Sequence, residues 1–294
     1  MQLWVGTSGF SYPDWVGTFY PAGLRPGHML RFYARHFPLV ELNFSFYRVP
    51  TADQLRHMAD QVPAGFQFLV KLPRTLTHEA RPDDLPAFRA AADALRQRGQ
   101  LSALLAQLPQ SVHAGPEPRR WLEHLRAELA GFPLAVEFRH RSWARADVSS
   151  WLRRQDIILV AVDVPDIPRL YPRGLDRSGP TVYVRFHSRR ADHWYASDKL
   201  RYDYDYSDAE LSEWVTALAD EAQHIDRAYL LFNNCQRSHA VVNAQRMRQL
   251  LEKLGPGAQV VRPVAPVGPQ RRTLFDDAGP EAAGDGRLPW QSET

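Results

Sequence analysis

The sequence holds one cysteine, Cys235, and three lysines, Lys71, Lys199 and Lys253, among 36 basic residues. A single cysteine excludes an internal disulfide and any zinc site built from several cysteines. Cys235 itself reads as a small, partly buried side chain, since no activating pattern surrounds it. No apolar run approaches the roughly 20 residues that cross a bilayer, so no membrane partner is expected. The opening MQLWVGTSG lacks both the basic n-region and the apolar h-region of a signal peptide, and a cytoplasmic location is the expectation. Charge of one sign is also scarce: 36 basic against 33 acidic residues leave +3, which permits an anionic partner without requiring one. The shortage of lysine makes Lys71 conspicuous. A lysine in a chain otherwise committed to arginine points to a local chemical need.

What is present is a repeated pattern. Eight short apolar runs each end at residues able to do chemistry: LWVGT at Thr7 and Ser8, LVELN at Glu41 and Asn43, FQFLVK at Lys71, and ALLAQ at Gln107. LAVEFR then carries Glu137 and Arg139, IILVAVD ends at Asp163, VYVRFH carries Arg185 and His187, and YLLFNN ends at Asn233 and Asn234. Runs of this length between helix-like segments read as buried parallel strands. Eight of them predict an α/β fold, a closed (β/α)8 TIM barrel, with its site at the C-terminal strand ends.

Between the runs, apolar spacing predicts helices near 28–37, 84–98, 117–130, 207–222 and 239–254, with a capping box at Ser207 and Glu210. The stretch 164–180 is too rich in Pro and Gly for a full helix, so an irregular crossover is expected between strands six and seven. The loop 187–206 is long and aromatic and is expected to fold over the barrel mouth. Residues 1–254 are therefore read as one barrel domain. The Pro/Gly-rich stretch 255–294 is read as a loosely attached tail.

The segment FPLVELNFSFYRVP closely resembles the YecE-like proteins, domain-of-unknown-function family 72. The likeness continues in GTSGFSYPDWVGTFYP, FQFLVKLPRTLTH, LAVEFRHRSW, VYVRFH and YLLFNN, together spanning residues 5–234. That resemblance implies a TIM barrel and supplies no reaction, so function is read from the residues.

In VELN, alternation places Glu41 and Asn43 on one face; in VEFR it does the same for Glu137 and Arg139. With apolar partners turned to the helices, these four are expected inside the barrel. Arg185 shares a face with Tyr183 and His187. Glu41 and Glu137 are the candidate catalytic carboxylates and His187 the candidate acid. Lys71, Arg139 and Arg185 are candidates to hold an anion, with Asn43, Tyr47, His78, Trp143, Asp163, Asn233 and Asn234 as further substrate contacts. The competing reading is a buried network in which the cations neutralise Glu41, Glu137 and Asp163. A divalent metal on His187 and the carboxylates is the weaker alternative, because no HxH or HExxH spacing exists and neighbouring cations repel a metal.

Loop aromatics at the same mouth (Phe10, Tyr12, Trp15, Phe46, Tyr47, Trp143, Trp194 and Tyr195) offer faces for bases or sugars. The leading expectation is a hydrolase acting on a phosphate ester or nucleic acid. Two alternatives stand beside it: a glycosidase using Glu41 and Glu137, and a non-catalytic module that binds an anion or nucleotide. In the tail, Leu274 and Phe275 of QRRTLFDD faintly resemble a sliding-clamp-binding peptide, with the glutamine one position too early.

Overall fold

The computed structural model describes residues 1–255 and 257–264. Each apolar run forms a strand: β1 (Gln2–Ser8), β2 (Leu39–Leu42), β3 (Gln67–Lys71), β4 (Leu101–Gln107), β5 (Leu134–Glu137), β6 (Ile157–Asp163), β7 (Thr181–Phe186) and β8 (Arg227–Phe232). All neighbours pair in parallel, and β8 and β2 both pair with β1, which closes an eight-stranded barrel. The strands carry almost uninterrupted buried residues, because helices cover one face and the barrel core the other.

The helices are α1 (Met29–Tyr33), α2 (Ala52–Asp60), α3 (Arg74–Thr77), α4 (Leu85–Arg96), α5 (Pro116–Glu128), α6 (Ala146–Arg154), α7 (Asp198–Arg201), α8 (Asp208–Asp220) and α9 (His239–Leu251). Ser207 and Glu210 form the expected capping box on α8, which buries Leu211, Trp214 and Leu218. A second capping box, Thr51 with Gln54, starts α2. No helix joins β6 to β7. The segment between them instead bridges to the chain after β5, through His140 and Leu170 and through Tyr171 N–H donating to Arg139 O at 3.0 Å. That bridge carries Leu170 to the wall of the barrel mouth.

β1 is paired along its C-terminal end by β2 and along its N-terminal end by a two-residue strand, β9 (Gln259–Val260). The close approach of β2 explains Gly6, where a Cβ would collide with Leu39 O. Residues 265–294, with Leu274 and Phe275 among them, lie outside the described residues. No described helix is long and apolar enough to cross a membrane.

Candidate functional site

At the C-terminal strand ends the polar residues divide into two layers. The lower layer is sealed. Glu41 on β2, Glu137 on β5 and Arg185 on β7 are buried, the two glutamates with no exposed surface. The Arg185 guanidinium donates from Nε and Nη2 to Glu41 at 2.8 and 2.7 Å, and from Nη1 to Glu137 at 2.5 Å. Tyr183, two residues before Arg185 on the same face, donates its hydroxyl to Glu41. Burial disfavours the Arg185 cation, but Glu137 and Glu41 more than reverse this, and its pKa lies well above the ordinary arginine value. Burial likewise pushes the Glu137 carboxyl up, while Arg139 and Arg185 hold it well below the carboxylate range.

His187 continues this layer. Its Nδ1 faces Asn233 Nδ2 at 3.0 Å and its Nε2 faces Glu137 Oε1 at 3.4 Å. A neutral imidazole accepting from Asn233 and presenting Nε2–H to Glu137 fits both contacts. Burial and the nearby Arg139 cation bring its pKa down to about 3.

The upper layer opens into a cavity of about 840 Å³ at the barrel mouth. Asn43, Lys71, Gln107, Arg139, Arg185 and Asn233 face it from the strand ends, and Phe46, Tyr47, His78, Trp194, Tyr195 and Tyr202 from the loops. Asp and Glu are absent from its lining among the described residues, whereas Arg48, Lys71, Arg139, Arg185 and Arg201 all contribute. The loop after β7 reaches across the mouth, and the Tyr195 hydroxyl meets the Gln110 amide at 2.9 Å. Arg139 lies under Trp194, its guanidinium carbon 5.8 Å from the ring centre, and also pairs with Glu137. Asn43 Oδ1 and Arg139 Nε are buried without a hydrogen-bond partner of good geometry among the described residues.

Lys71 ends β3 with its ammonium 4.0 Å from the centre of the Phe46 ring, which also meets His78, centre to centre 4.9 Å. Burial, then the Arg185 cation, lowers the Lys71 pKa to about 7. His78 holds Thr77 Oγ1 at Nδ1 (2.9 Å), and burial with Lys71 beside it brings its pKa down to about 4.

The structure thus brings Asn43, Tyr47, Lys71, His78, Arg139, Arg185 and Asn233 to one cavity. Glu41, Glu137 and His187 lie beneath it and do not line it. The catalytic roles expected for those three change accordingly: Glu41 gives both oxygens to Arg185 and Glu137 gives one, its other oxygen lying against Arg139, and buried His187 has a proton affinity too low for an acid at neutral pH. Three further residues point elsewhere. Asp163 lies on the helix side of β6, accepting from Arg189 (2.8 Å), Tyr206 (3.0 Å) and Trp214 (2.6 Å). Trp143 stacks on Phe138 at 4.2 Å and donates to Val112 O. Asn234 binds Tyr204 O and Asn243 at 2.7 Å each. Sequence reading missed Gln110 and Tyr202, which come from loops without periodicity, and Arg201, at the end of the four-residue α7. No three His, Cys, Asp or Glu side chains converge as metal ligands among the described residues.

Comparison with known proteins agrees with this architecture. The UPF0759 protein YunF of Bacillus subtilis (strain 168) is 27% identical over 278 residues, covering 85% of this chain and 95% of that protein. The UPF0759 protein YecE of Escherichia coli (strain K12) is 30% identical over 159 residues, 52% of this chain and 54% of that one. The crystal structure of a DUF72 family protein from Thermotoga maritima MSB8 superposes with a TM-score of 0.79 at 35% identity, covering 86% of this chain and all of that one. The model described as "Protein of unknown function DUF72" matches residues 4–268, and the chain belongs to that family.

Proposed function

We propose that the cavity binds a phosphate ester carrying a planar ring, such as a nucleotide unit, free or within a strand. The observation that carries this reading is the one-sided lining: four arginines and a lysine against no acidic residue among the described residues. An anion entering there meets cations in a partly desolvated site, where charge–charge attraction exceeds its value in water. Arg139 takes the phosphate, and Asn43, Gln107 and Asn233 supply amide hydrogen bonds. Tyr47 and Tyr195, 76% and 58% exposed at the rim, offer faces to the ring.

The substrate class expected of a hydrolase is retained, while its expected machinery is not. Glu41 and Glu137 do not reach the cavity, so neither a water nor a glycosidic bond held there meets a carboxylate. That places phosphate-ester hydrolysis by those residues and carbohydrate cleavage behind anion binding. Thermal-shift titration of the full chain with adenosine monophosphate, short oligonucleotides and neutral oligosaccharides tests the reading. The phosphate compounds are expected to raise the melting temperature, less so at high salt, and the sugars to leave it unchanged. Stabilisation by neutral sugars alone overturns it.

A further inference from the structure

Lys71 is left without a task by the sealed network beneath it. Glu41 and Glu137 spend their oxygens on Arg185, Tyr183 and Arg139. The amine of Lys71 makes no hydrogen bond among the described residues and rests against the Phe46 ring inside the cavity. It is held at the end of a strand rather than on a loop, against the Phe46 ring, which His78 also meets. An anchoring ammonium is normally met by a carboxylate in ion-pair contact; this one has none among the described residues. Burial and then the Arg185 cation favour the free amine, a nucleophile, over the ammonium, and outweigh the pull of Glu137 and Glu41 the other way.

We propose that Lys71 is a nucleophile that forms a reversible imine with an aldehyde or ketone borne by the phosphorylated ligand. The proposal rests on the anion-binding reading for how the ligand is held, and adds what its reacting group is. In the step, the Nζ lone pair bonds to the carbonyl carbon while the C=O π electrons move to oxygen. Proton transfer from nitrogen to that oxygen gives a neutral carbinolamine. Loss of water then leaves a C=N bond, and hydrolysis returns the free amine and the carbonyl compound. No oxidant, reductant or metal is consumed. The arginines serve twice, holding the phosphate and keeping a proton off Lys71.

The shortage of lysine makes the experiment clean. Pyridoxal 5′-phosphate carries an aldehyde, a planar ring and a phosphate, and borohydride reduction fixes any imine it forms. The full chain is incubated with sub-stoichiometric probe at pH 7, reduced, digested and mapped by mass, with Lys199 and Lys253 as internal references on the exposed surface. An ordinary exposed lysine at pH 7 is almost wholly protonated, so labelling of Lys71 is expected to exceed either reference at least tenfold. Its rate is expected to rise through a midpoint near pH 7, set first by burial and then by Arg185, Glu137, Glu41 and Arg139, with neutral His78 beside it. Lys71→Arg keeps the charge and loses the label.

Labelling of Lys71 no faster than of Lys199 and Lys253 overturns the proposal, even where phosphate compounds stabilise the protein. Conversely, selective labelling that pyridoxal without its phosphate reproduces, and that inorganic phosphate fails to slow, upholds the nucleophile and sinks the anion reading.

Discussion

The two polar layers at the barrel mouth use the same residue types to opposite ends. Below, Arg185 is matched by two carboxylates, a phenol stands on one of them, and His187 is neutral. Above, Lys71, Arg139 and Arg201 face a cavity whose described lining has no carboxylate. Arg185 against Glu41 and Glu137 leaves the lower layer one negative charge, which Arg139 meets through Glu137, and the network specifies how β2, β5 and β7 meet. In the upper layer Lys71 faces the cavity with no carboxylate in ion-pair contact among the described residues. A polar residue at a strand end is therefore not by itself evidence of chemistry; what decides is whether its partner is already in the protein.

The sharpest way to break this contrast is to remove the hub of the lower layer. Arg185→Met leaves Glu41 and Glu137 buried without their shared cation, and truncating one side of such a network costs about 3–5 kcal/mol. Urea denaturation is expected to show that loss, or a chain that does not fold. A loss under about 1 kcal/mol would mean the carboxylates reach water, and the sealed layer would not exist.

Acid should act on the lower layer in the same direction. An unfolded histidine takes up its proton near pH 6.5, whereas His187 resists until about 3, so the unfolded chain binds the extra proton between those values. Stability is complete above pH 6.5 and falls as the pH drops through that window, by on the order of 3 kcal/mol at pH 4. Glu137, held low by Arg139 and Arg185, adds its own loss below about pH 4.5. His187→Gln is expected to flatten the slope between pH 6.5 and 4.5. An unchanged slope there would remove His187 from the sealed set.

Lys71 in the upper layer has the opposite relation to stability. Its pKa of about 7 in the folded state lies below that of an unfolded lysine, so the unfolded chain holds more protons from pH 7 to about 10.4. Burial of Lys71 then costs stability at neutral pH, and that cost is relieved as the pH rises. Lys71→Met is expected to stabilise the protein by about 1–3 kcal/mol at pH 7 while abolishing imine formation. A destabilised variant would place Lys71 with Arg185 as a structural charge.

Which layer a residue joins was only half legible in the sequence. Alternation placed Glu41 with Asn43, Glu137 with Arg139, and Tyr183 with Arg185 and His187, because each has apolar neighbours facing the helices. The same rule admits only one of Asn233 and Asn234 to the interior, and Asn233 is the one that meets His187. Asp163 gave no such signal, since β6 is apolar on both faces; its outward role depends on Arg189, Tyr206 and Trp214 from later in the chain. That Arg185 would absorb both carboxylates was out of reach for a different reason. The pairs span 144 and 48 residues of sequence and exist only because the barrel closes. Helices α2 and α6 were also unread, being short and largely polar, and their apolar stripes carry only Leu55 and Ala59, or Val148, Trp151 and Leu152.

The mildest perturbation lies at the rim, where the contrast between layers predicts function without stability. Tyr47 is largely exposed, so Tyr47→Ala is expected to change unfolding free energy by no more than about 0.5 kcal/mol. If the ring stacks on a base, the same change weakens oligonucleotide binding by about 1–3 kcal/mol, read as a roughly five- to hundredfold rise in Kd by calorimetry. The two measurements must separate. Should both be unmoved, the ring-stacking half of the ligand assignment fails while the cationic half stands, because that half rests on Arg139 deeper in the cavity.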